Sequence, residues 1–236
     1  KYCEEIKFEN KFPELRELQI YDCVPNQIID ECILLGVINT KIFNLIGKQP
    51  DKIFDWLNKG NTLDADVIIF DPYTFSSQLF FNIWDQGEYN HPGIMMLADR
   101  LFEDIGLGSS YASNTGRTIN FSSYKNCWIA KPDIFKVMQK FSTEIVHSKI
   151  GIDDYYKHYY NKTKYEKLQK KILPSKVFCF ERLFSTLLEN NFFGNIKVLR
   201  FPSNINFSDQ IENIDSDELY MYREGLVQFK NSMNDL

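Results

Sequence analysis

The sequence has little cysteine and no long apolar run. Its five cysteines, at positions 3, 23, 32, 127 and 179, are odd in number and lack the spacing of metal ligands. No window approaches the roughly 20 apolar residues of a membrane span, and no secretory signal is evident. We therefore expect a protein without a transmembrane segment in a reducing compartment, the cytoplasm.

An excess of positive charge is also lacking. The formal net charge is −5, and the basic residues are scattered except around residues 162–176. Proteins that bind nucleic acid usually present a basic surface to the phosphates. We therefore expect no nucleic-acid partner.

Apolar and aromatic residues are plentiful, at 44% and 15% of the 236 residues. This content favours a folded globule, and the length suits one core but not a second independent domain. We expect a single domain over residues 1–236. Because the sequence begins with Lys1 and not Met, a fragment of a larger multi-domain protein is compatible with this expectation.

The apolar pattern predicts strands alternating with helices. Strands are predicted at residues 18–25, 36–43, 66–70, 126–132 and 196–201. Helices are predicted at residues 28–35, 51–58, 76–84, 92–105, 133–141, 155–171 and 181–190. The continuous apolar run 67–70 is typical of a buried interior strand in a parallel sheet. The fold class is therefore α/β, with a helical C-terminal part.

Asp71 follows the predicted strand 66–70 and precedes Pro72. A carboxylate in this position is expected to project from the edge of the sheet toward a ligand. The alternative is a turn, because Asp before Pro commonly forms one. A single acid makes a weak site for magnesium or manganese, so the metal ligands remain unknown.

Residues 84–91 combine an indole, two acids, two amides and an imidazole between two apolar runs. Glu88 and Asp85 are candidate general bases for a sugar transfer. Trp84 could stack on a sugar, while Gln86 and His91 could bind hydroxyls or phosphate. The alternative is a helix terminus at which the two acids cap backbone amides.

Two later segments also carry polar candidates. Asn126 and Lys131 bracket an apolar strand that contains Trp128, and the lysine could neutralise a phosphate or simply extend to solvent. Glu181 and Arg182 lie at a predicted helix start. They form either a structural network or a pair in which Glu181 is a catalytic carboxylate.

Five of these segments together resemble glycosyltransferase-like domains of bacterial and viral polysaccharide assembly proteins. The first four are residues 36–41, 66–72, 84–93 and 126–132. The fifth, residues 181–185, is similar to a segment that closes many transferases of the GT-A kind. The resemblance covers roughly residues 30–190 and implies a GT-A-like mixed sheet flanked by helices.

The resemblance implies a nucleotide-sugar donor and a growing glycan as acceptor. The general base would be Glu88 or Asp85. The donor would be bound by Asp71, Gln86, His91 and Lys131. The acceptor would be bound by Trp84, Asn126, Trp128, Glu181 and Arg182. No cofactor is certain, because the Asp-x-Asp triplet of metal-dependent members is lacking; a manganese or magnesium ion stays an option.

Two other functions fit the same residues. The first is a non-catalytic carbohydrate-binding or scaffolding module of a larger transferase. The second is glycoside hydrolysis, for which Asp71 and Glu88 could supply two facing carboxylates.

Overall fold

The computed structural model describes residues 18–36, 57, 64–70, 80, 82–116, 121, 123, 126–150 and 175–201. Within these ranges the chain is mixed α/β, as the sequence predicted. In chain order the elements are α1 (Leu18–Asp22), α2 (Asn26–Glu31), β1 (Val67–Ile69), α3 (Ile83–Asn90), α4 (Ile94–Asp104), β2 (Trp128–Ala130), α5 (Pro132–His147), α6 (Ser175–Glu189) and β3 (Val198–Arg200).

The three strands form one mixed sheet in the order β2-β1-β3. The central strand β1 is antiparallel to β2, with Ile69 opposite Trp128, and parallel to β3, with Ile69 opposite Arg200. Its side chains alternate between two cores, since Val67 and Ile69 pack with the helices while Ile68 packs on the other face. The predicted interior position of residues 66–70 is confirmed, although only one neighbour is parallel.

One edge of the sheet brings together the carboxyl ends of β1 and β3 with the start of β2. Phe70 N–H donates to Cys127 O at 2.9 Å, and Phe201 N–H donates to Ile69 O at 2.8 Å. Asn126 immediately precedes Cys127. We call this edge, with Phe70, Asn126, Cys127 and Phe201, the carboxyl edge.

The opposite edge, which we call the amino edge, holds Asp66, Lys131 and Lys197. One Asp66 carboxylate oxygen lies 2.6 Å from Lys131 Nζ, and the other accepts from Lys197 N–H at 2.7 Å. A strand rises about 3.3 Å per residue, so Lys131 is about 13 Å from Cys127 along β2. The two edges are therefore separate surfaces.

The helix α6 is the most buried helix among the described residues. From Ser175 to Leu188 every residue is buried except Glu181. The helix ends at Glu189, shortly before β3 begins opposite Val67 at the amino edge. It packs against α3, α4 and α5.

The strand predicted at residues 18–25 is wrong, because Leu18–Asp22 forms a helix. Leu18 and Tyr21, three residues apart, share the buried face that packs along α5. Gln139 of α5 donates its amide to the carbonyl oxygen of Tyr21 in this helix and to that of Val24 just beyond it. Tertiary contacts with α5 thus outweigh the strand-like composition of the segment.

Several predicted elements are present, with shifted bounds. The helix predicted at residues 92–105 is α4, the strand entering a helix after Lys131 is β2 followed by α5, and the last strand is β3. The helix predicted at 28–35 is shorter, because Leu35 leaves it to pair with Ala130 as an isolated bridge. The last helix begins at Ser175, six residues before the predicted start at Glu181.

The predicted elements at residues 37–43, 51–56 and 155–171 lie outside the described residues, as does most of the helix predicted at 76–84. Within the described ranges, no helix combines the length and the apolar content that crossing a membrane requires.

Candidate functional site

The polar residues predicted around position 84–91 lie on a helix. The side chain of Asn82 caps α3 by accepting from the backbone N–H groups of Trp84 and Asp85, at 2.8 and 2.9 Å. The buried positions of α3 include Trp84 and Gln86, while Asp85 and Glu88, three residues apart, are partly exposed. The different polar groups in this segment therefore belong to two faces of one short helix, a buried face and a partly exposed face.

Glu88, one of the two predicted bases, caps the next helix. Its carboxylate accepts from Gly93 N–H at 2.6 Å and from Met95 N–H at 2.7 Å, at the start of α4. Gly93 itself has a φ of 86°, a conformation that favours glycine. This geometry matches the capping interpretation, since both carboxylate oxygens are engaged with backbone donors.

Glu88→Gln should lower the free energy of unfolding by about 1 kcal/mol, because one of the two backbone donors loses its acceptor and the helix dipole loses a negative charge. Urea unfolding followed by circular dichroism measures the change. The matched control is Glu103→Gln, an exposed acid near the end of α4, which should change stability by less than about 0.5 kcal/mol. Equal effects of the two substitutions would contradict the capping role.

The two indoles predicted to stack on the acceptor are enclosed in the core. Trp84 and Trp128 are both 0% exposed. Trp84 Nε1 donates to Thr186 Oγ1 at 3.1 Å, and the Trp128 ring stacks on Phe184 at a centroid distance of 4.0 Å. Neither ring presents a face to solvent in this structure, so neither can stack on a sugar here. Both rings instead pack against α6.

Gln86 and Arg182 form a buried pair between α3 and α6. Arg182 donates to Gln86 Oε1 at 2.6 Å and to the carbonyl oxygens of Ile83 and Phe178 at 3.2 and 3.1 Å. A Cβ added at Gly87 would lie 2.9 Å from Arg182 Nε, so the glycine permits this close approach. The pair fixes the position of α6 against α3.

His91 ends α3 and packs on α6. Its ring lies on that of Phe178 at a centroid distance of 4.1 Å. Burial and the nearby Arg182 charge lower the pKa of His91 to about 3. The imidazole is therefore neutral at neutral pH and brings no positive charge to a phosphate.

Lys131, predicted to bind the donor, lies at the amino edge. Its ammonium pairs with Asp66, and this bond, together with the N–H of Lys197, holds the pKa of the Asp66 carboxyl below its ordinary value. The lysine side chain is 46% exposed. Its placement separates it from Asn126 at the carboxyl edge, so the two cannot act on one phosphate.

Asn126 has an unusual combination of conformation and burial. Its φ is 53°, in the left-handed region, and it is only 4% exposed. Its buried Oδ1 has no hydrogen-bond partner within the part of the chain that the structure describes, and the same holds for Trp128 Nε1. A buried amide normally satisfies its hydrogen-bonding groups, so Asn126 marks the carboxyl edge as a candidate ligand site.

Glu181 is partly exposed, unlike the residues on either side of it in α6. Its neighbours one turn further along the helix are Phe184 and Ser185. Phe184 stacks on Trp128, and Ser185 Oγ lies 2.9 Å from both the backbone N and the Oγ of Ser123. The two contacts join the middle of α6 to residues on either side of Asn126 in the sequence.

The sequence predicted that Glu181 and Asn126 both bind the acceptor, and this role stays a prediction. The helical spacing puts Glu181, Phe184 and Ser185 on one face of α6. The contacts of Phe184 with Trp128 and of Ser185 with Ser123 are visible only in the fold. The predicted donor residue Asp71 lies outside the described residues.

Other chemistry is sparse among the residues described. No group of three or more His, Cys, Asp or Glu side chains that could hold a metal ion occurs among them. Cys179 is fully buried, and burial raises the pKa of its thiol to about 12. A thiol with this pKa stays protonated and is a poor nucleophile.

Comparisons with known proteins returned no match for this chain from family models, from curated proteins or from solved structures. The resemblance to glycosyltransferases therefore stays a prediction, and the geometry of the carboxyl edge is the evidence from which function can be argued.

Proposed function

We propose that the chain is a GT-A-like glycosyltransferase domain that moves a sugar from a nucleotide-sugar donor to a glycan acceptor at the carboxyl edge. One observation carries the proposal: the buried amide oxygen of Asn126, at the carboxyl edge, has no hydrogen-bond partner in the described part of the chain. Ligands of open α/β sheets bind outside the carboxyl ends of the strands. Among the described residues of the amino edge, where Lys131 and Asp66 pair, no buried side-chain group lacks a partner.

A transfer to a hydroxyl acceptor needs a carboxylate that takes the hydroxyl proton. The acceptor oxygen then bonds to the anomeric carbon as the bond to the diphosphate breaks and the nucleoside diphosphate leaves. Glu181 suits this role, since it is the one partly exposed residue of α6 between Ser175 and Leu188. Glu88, whose two oxygens cap α4, is a further candidate. Asp85 remains the alternative on α3.

The remaining predicted residues support this site in different ways. Arg182 and Gln86 hold the first half of α6 against α3 and so fix the backbone that carries Glu181. Neutral His91 packs behind them on Phe178. Asp71 directly follows Phe70 in the sequence and keeps its proposed part in binding the donor diphosphate, with or without a divalent ion.

A thermal-shift screen against the diphosphates of uridine, guanosine, cytidine, adenosine and thymidine, and against their sugar conjugates, tests the proposal. Each ligand is tried with manganese, with magnesium and with a chelator. Binding at a hundredfold excess over Kd should stabilise the protein by about 2.7 kcal/mol, which raises its melting temperature by about 5–10 °C. A hit confined to one nucleotide would identify the donor, and its dependence on metal would show whether an ion takes part.

Lys131→Gln in the same screen separates the two edges. We expect it to leave the ligand-induced shift unchanged, because Lys131 lies at the amino edge. If Lys131→Gln abolishes the ligand-induced shift, Lys131 contacts the donor. If no nucleotide or nucleotide-sugar shifts the melting temperature of the wild-type protein, the transferase proposal is overturned. Binding of glycans alone would then favour the carbohydrate-binding module, and cleavage of glycans without a nucleotide-sugar would favour a hydrolase.

A further inference from the structure

We propose that a groove between α5 and residues 22–26 binds a free amino acid, with the ammonium group of the ligand at Glu144 and its carboxylate group at Lys140. None of the four residues that define the carboxyl edge lines this groove. The inference therefore goes beyond the proposed sugar transfer and does not rest on it.

The groove has the size of a ligand site, and its two walls are fixed to each other. Its volume is about 670 Å³, and small-molecule pockets commonly have about 300–1,000 Å³. From the α5 wall, the Gln139 amide donates to Tyr21 O at 3.0 Å and to Val24 O at 2.8 Å. The Thr143 hydroxyl donates to the Asp22 carboxylate at 2.5 Å. The walls are therefore held in place before any ligand binds.

Glu144, on the α5 wall, is placed at a cost to the helix. It lies in the last turn of α5, where the negative end of the helix dipole disfavours an acid. Lys140 precedes it by four residues, which is the less favourable order for a helical ion pair. Glu144 Oε2 is enclosed and has no hydrogen-bond partner within the described part of the chain. The helix alone therefore gives no reason for a carboxylate at this position, whereas a positively charged ligand group would stabilise it.

The ion pair that borders the groove leaves both of its partners available. Lys140 Nζ lies 3.8 Å from Glu144 Oε1, which is longer than a hydrogen bond. The Lys140 side chain is 70% exposed and that of Glu144 is 33% exposed, so rotation about their side-chain bonds can turn both charges toward a ligand. Lys136, another lysine of the groove, is instead held by Asp30 at 2.5 Å. A ligand in the groove therefore meets an available cation and an available anion side by side.

These charges select the chemistry of the ligand. A phosphate at Lys140 would lie close to the carboxylates of Asp22 and Glu144. A diamine at Glu144 would place a second positive charge near Lys140. An amino acid carries its ammonium and carboxylate groups on the same carbon atom and so complements both side chains with charged hydrogen bonds, which are the stronger ones in proteins. The groove therefore fits a zwitterion better than an anion or a polyamine.

Isothermal titration of the full chain with each of the standard amino acids tests the inference. We expect at least one amino acid to bind. The amide derivative and the N-acetyl derivative of that amino acid should each bind about tenfold or more weakly, because each lacks one of the two charges. Putrescine and inorganic phosphate are the probes for a polyamine site and for an anion site.

Two substitutions assign the charges of the ligand to the two side chains. In Lys140→Met, the amino acid and its amide should bind about equally, because the partner of the ligand carboxylate is lost. In Glu144→Gln, the amino acid and its N-acetyl derivative should bind about equally, because the partner of the ligand ammonium is lost. The matched controls are Lys149→Met and Glu103→Gln, which replace exposed residues outside the groove and should leave all affinities unchanged.

The inference is overturned if wild type binds no amino acid, or if putrescine or phosphate binds as tightly as every amino acid does. It is also overturned if Lys140→Met and Glu144→Gln still discriminate against the two derivatives as wild type does, since the ligand then lies elsewhere. A lower melting temperature of Glu144→Gln together with unchanged amino acid affinity would show that the carboxylate supports only the fold, and would contradict the inference. The nucleotide screen tests the transferase proposal separately, so either proposal can fail alone.

Discussion

Arg182→Met should lower the free energy of unfolding by about 3 kcal/mol, because it leaves buried acceptors on α3 without their donor. Arg182 donates to Ile83 O and to Gln86 Oε1, at 3.2 and 2.6 Å, and methionine keeps much of its volume but donates nothing. Ile83 and Gln86 lie in an interface where few waters can replace the lost bonds, since Gln86 is itself buried. The substitution therefore isolates the polar link between α3 and α6.

Urea unfolding followed by circular dichroism and tryptophan fluorescence measures this change, with the slope of the transition checked against that of wild type. The control is Arg100→Met, an exposed arginine on α4, for which we expect a change within about 0.5 kcal/mol. A loss of similar size in both variants would show that Arg182 matters only through general solubility or charge. No loss in Arg182→Met would show that the pair with Gln86 does not hold the helices together.

Glu181→Gln should reduce the rate of sugar transfer by about 10²–10⁴-fold, the range that a positioned general base contributes. The amide keeps the size of the side chain and removes its ability to take the acceptor proton. We expect the unfolding midpoint and the affinity for the donor diphosphate to stay close to wild type. Release of nucleoside diphosphate from the donor identified by the screen, in the presence of acceptor, measures the rate.

Glu88→Gln and Asp85→Asn decide between the two helices that carry candidate carboxylates. Glu88→Gln should lose stability through its cap on α4 but should keep the transfer rate under conditions in which it is folded. Retained activity in Glu181→Gln together with inactive Asp85→Asn would place the base on α3. If Glu181→Gln is active and Glu88→Gln is folded but inactive, Glu88 is the base.

The sequence alone predicts those parts of the fold that depend on local signals. The apolar run 67–70 indicates an interior strand, and both faces of β1 are buried. Pro132 marks the change from β2 to α5, because proline cannot continue a strand ladder but suits the first turn of a helix. The glycine at 106 marks the end of α4, where its φ is 83°.

Features that depend on distant partners could not be predicted in this way. The helix α1 has the composition of a strand, and its packing on α5 more than 100 residues later decides its conformation. The polar residues at 84–91 suggested a cleft, whereas Gln86 pairs with Arg182, 96 residues away in the sequence. Lys131 and Asn126 are five positions apart, but the register of β2 against β1 sends them to opposite edges.

Hydrogen–deuterium exchange of the wild-type protein, with and without the nucleotide-sugar found in the screen, tests the central claim most directly. We expect slower exchange at residues 68–70, 126–128 and 199–201 at the carboxyl edge, around the N–H groups of Phe70 and Phe201 and the segment of Asn126. The exchange rates at Lys131 and Lys197, at the amino edge, should change little. Overlapping peptides separate these positions from those at the carboxyl edge. Protection confined to the amino edge, or spread over α1 and α5 while the carboxyl edge is unchanged, would contradict the account.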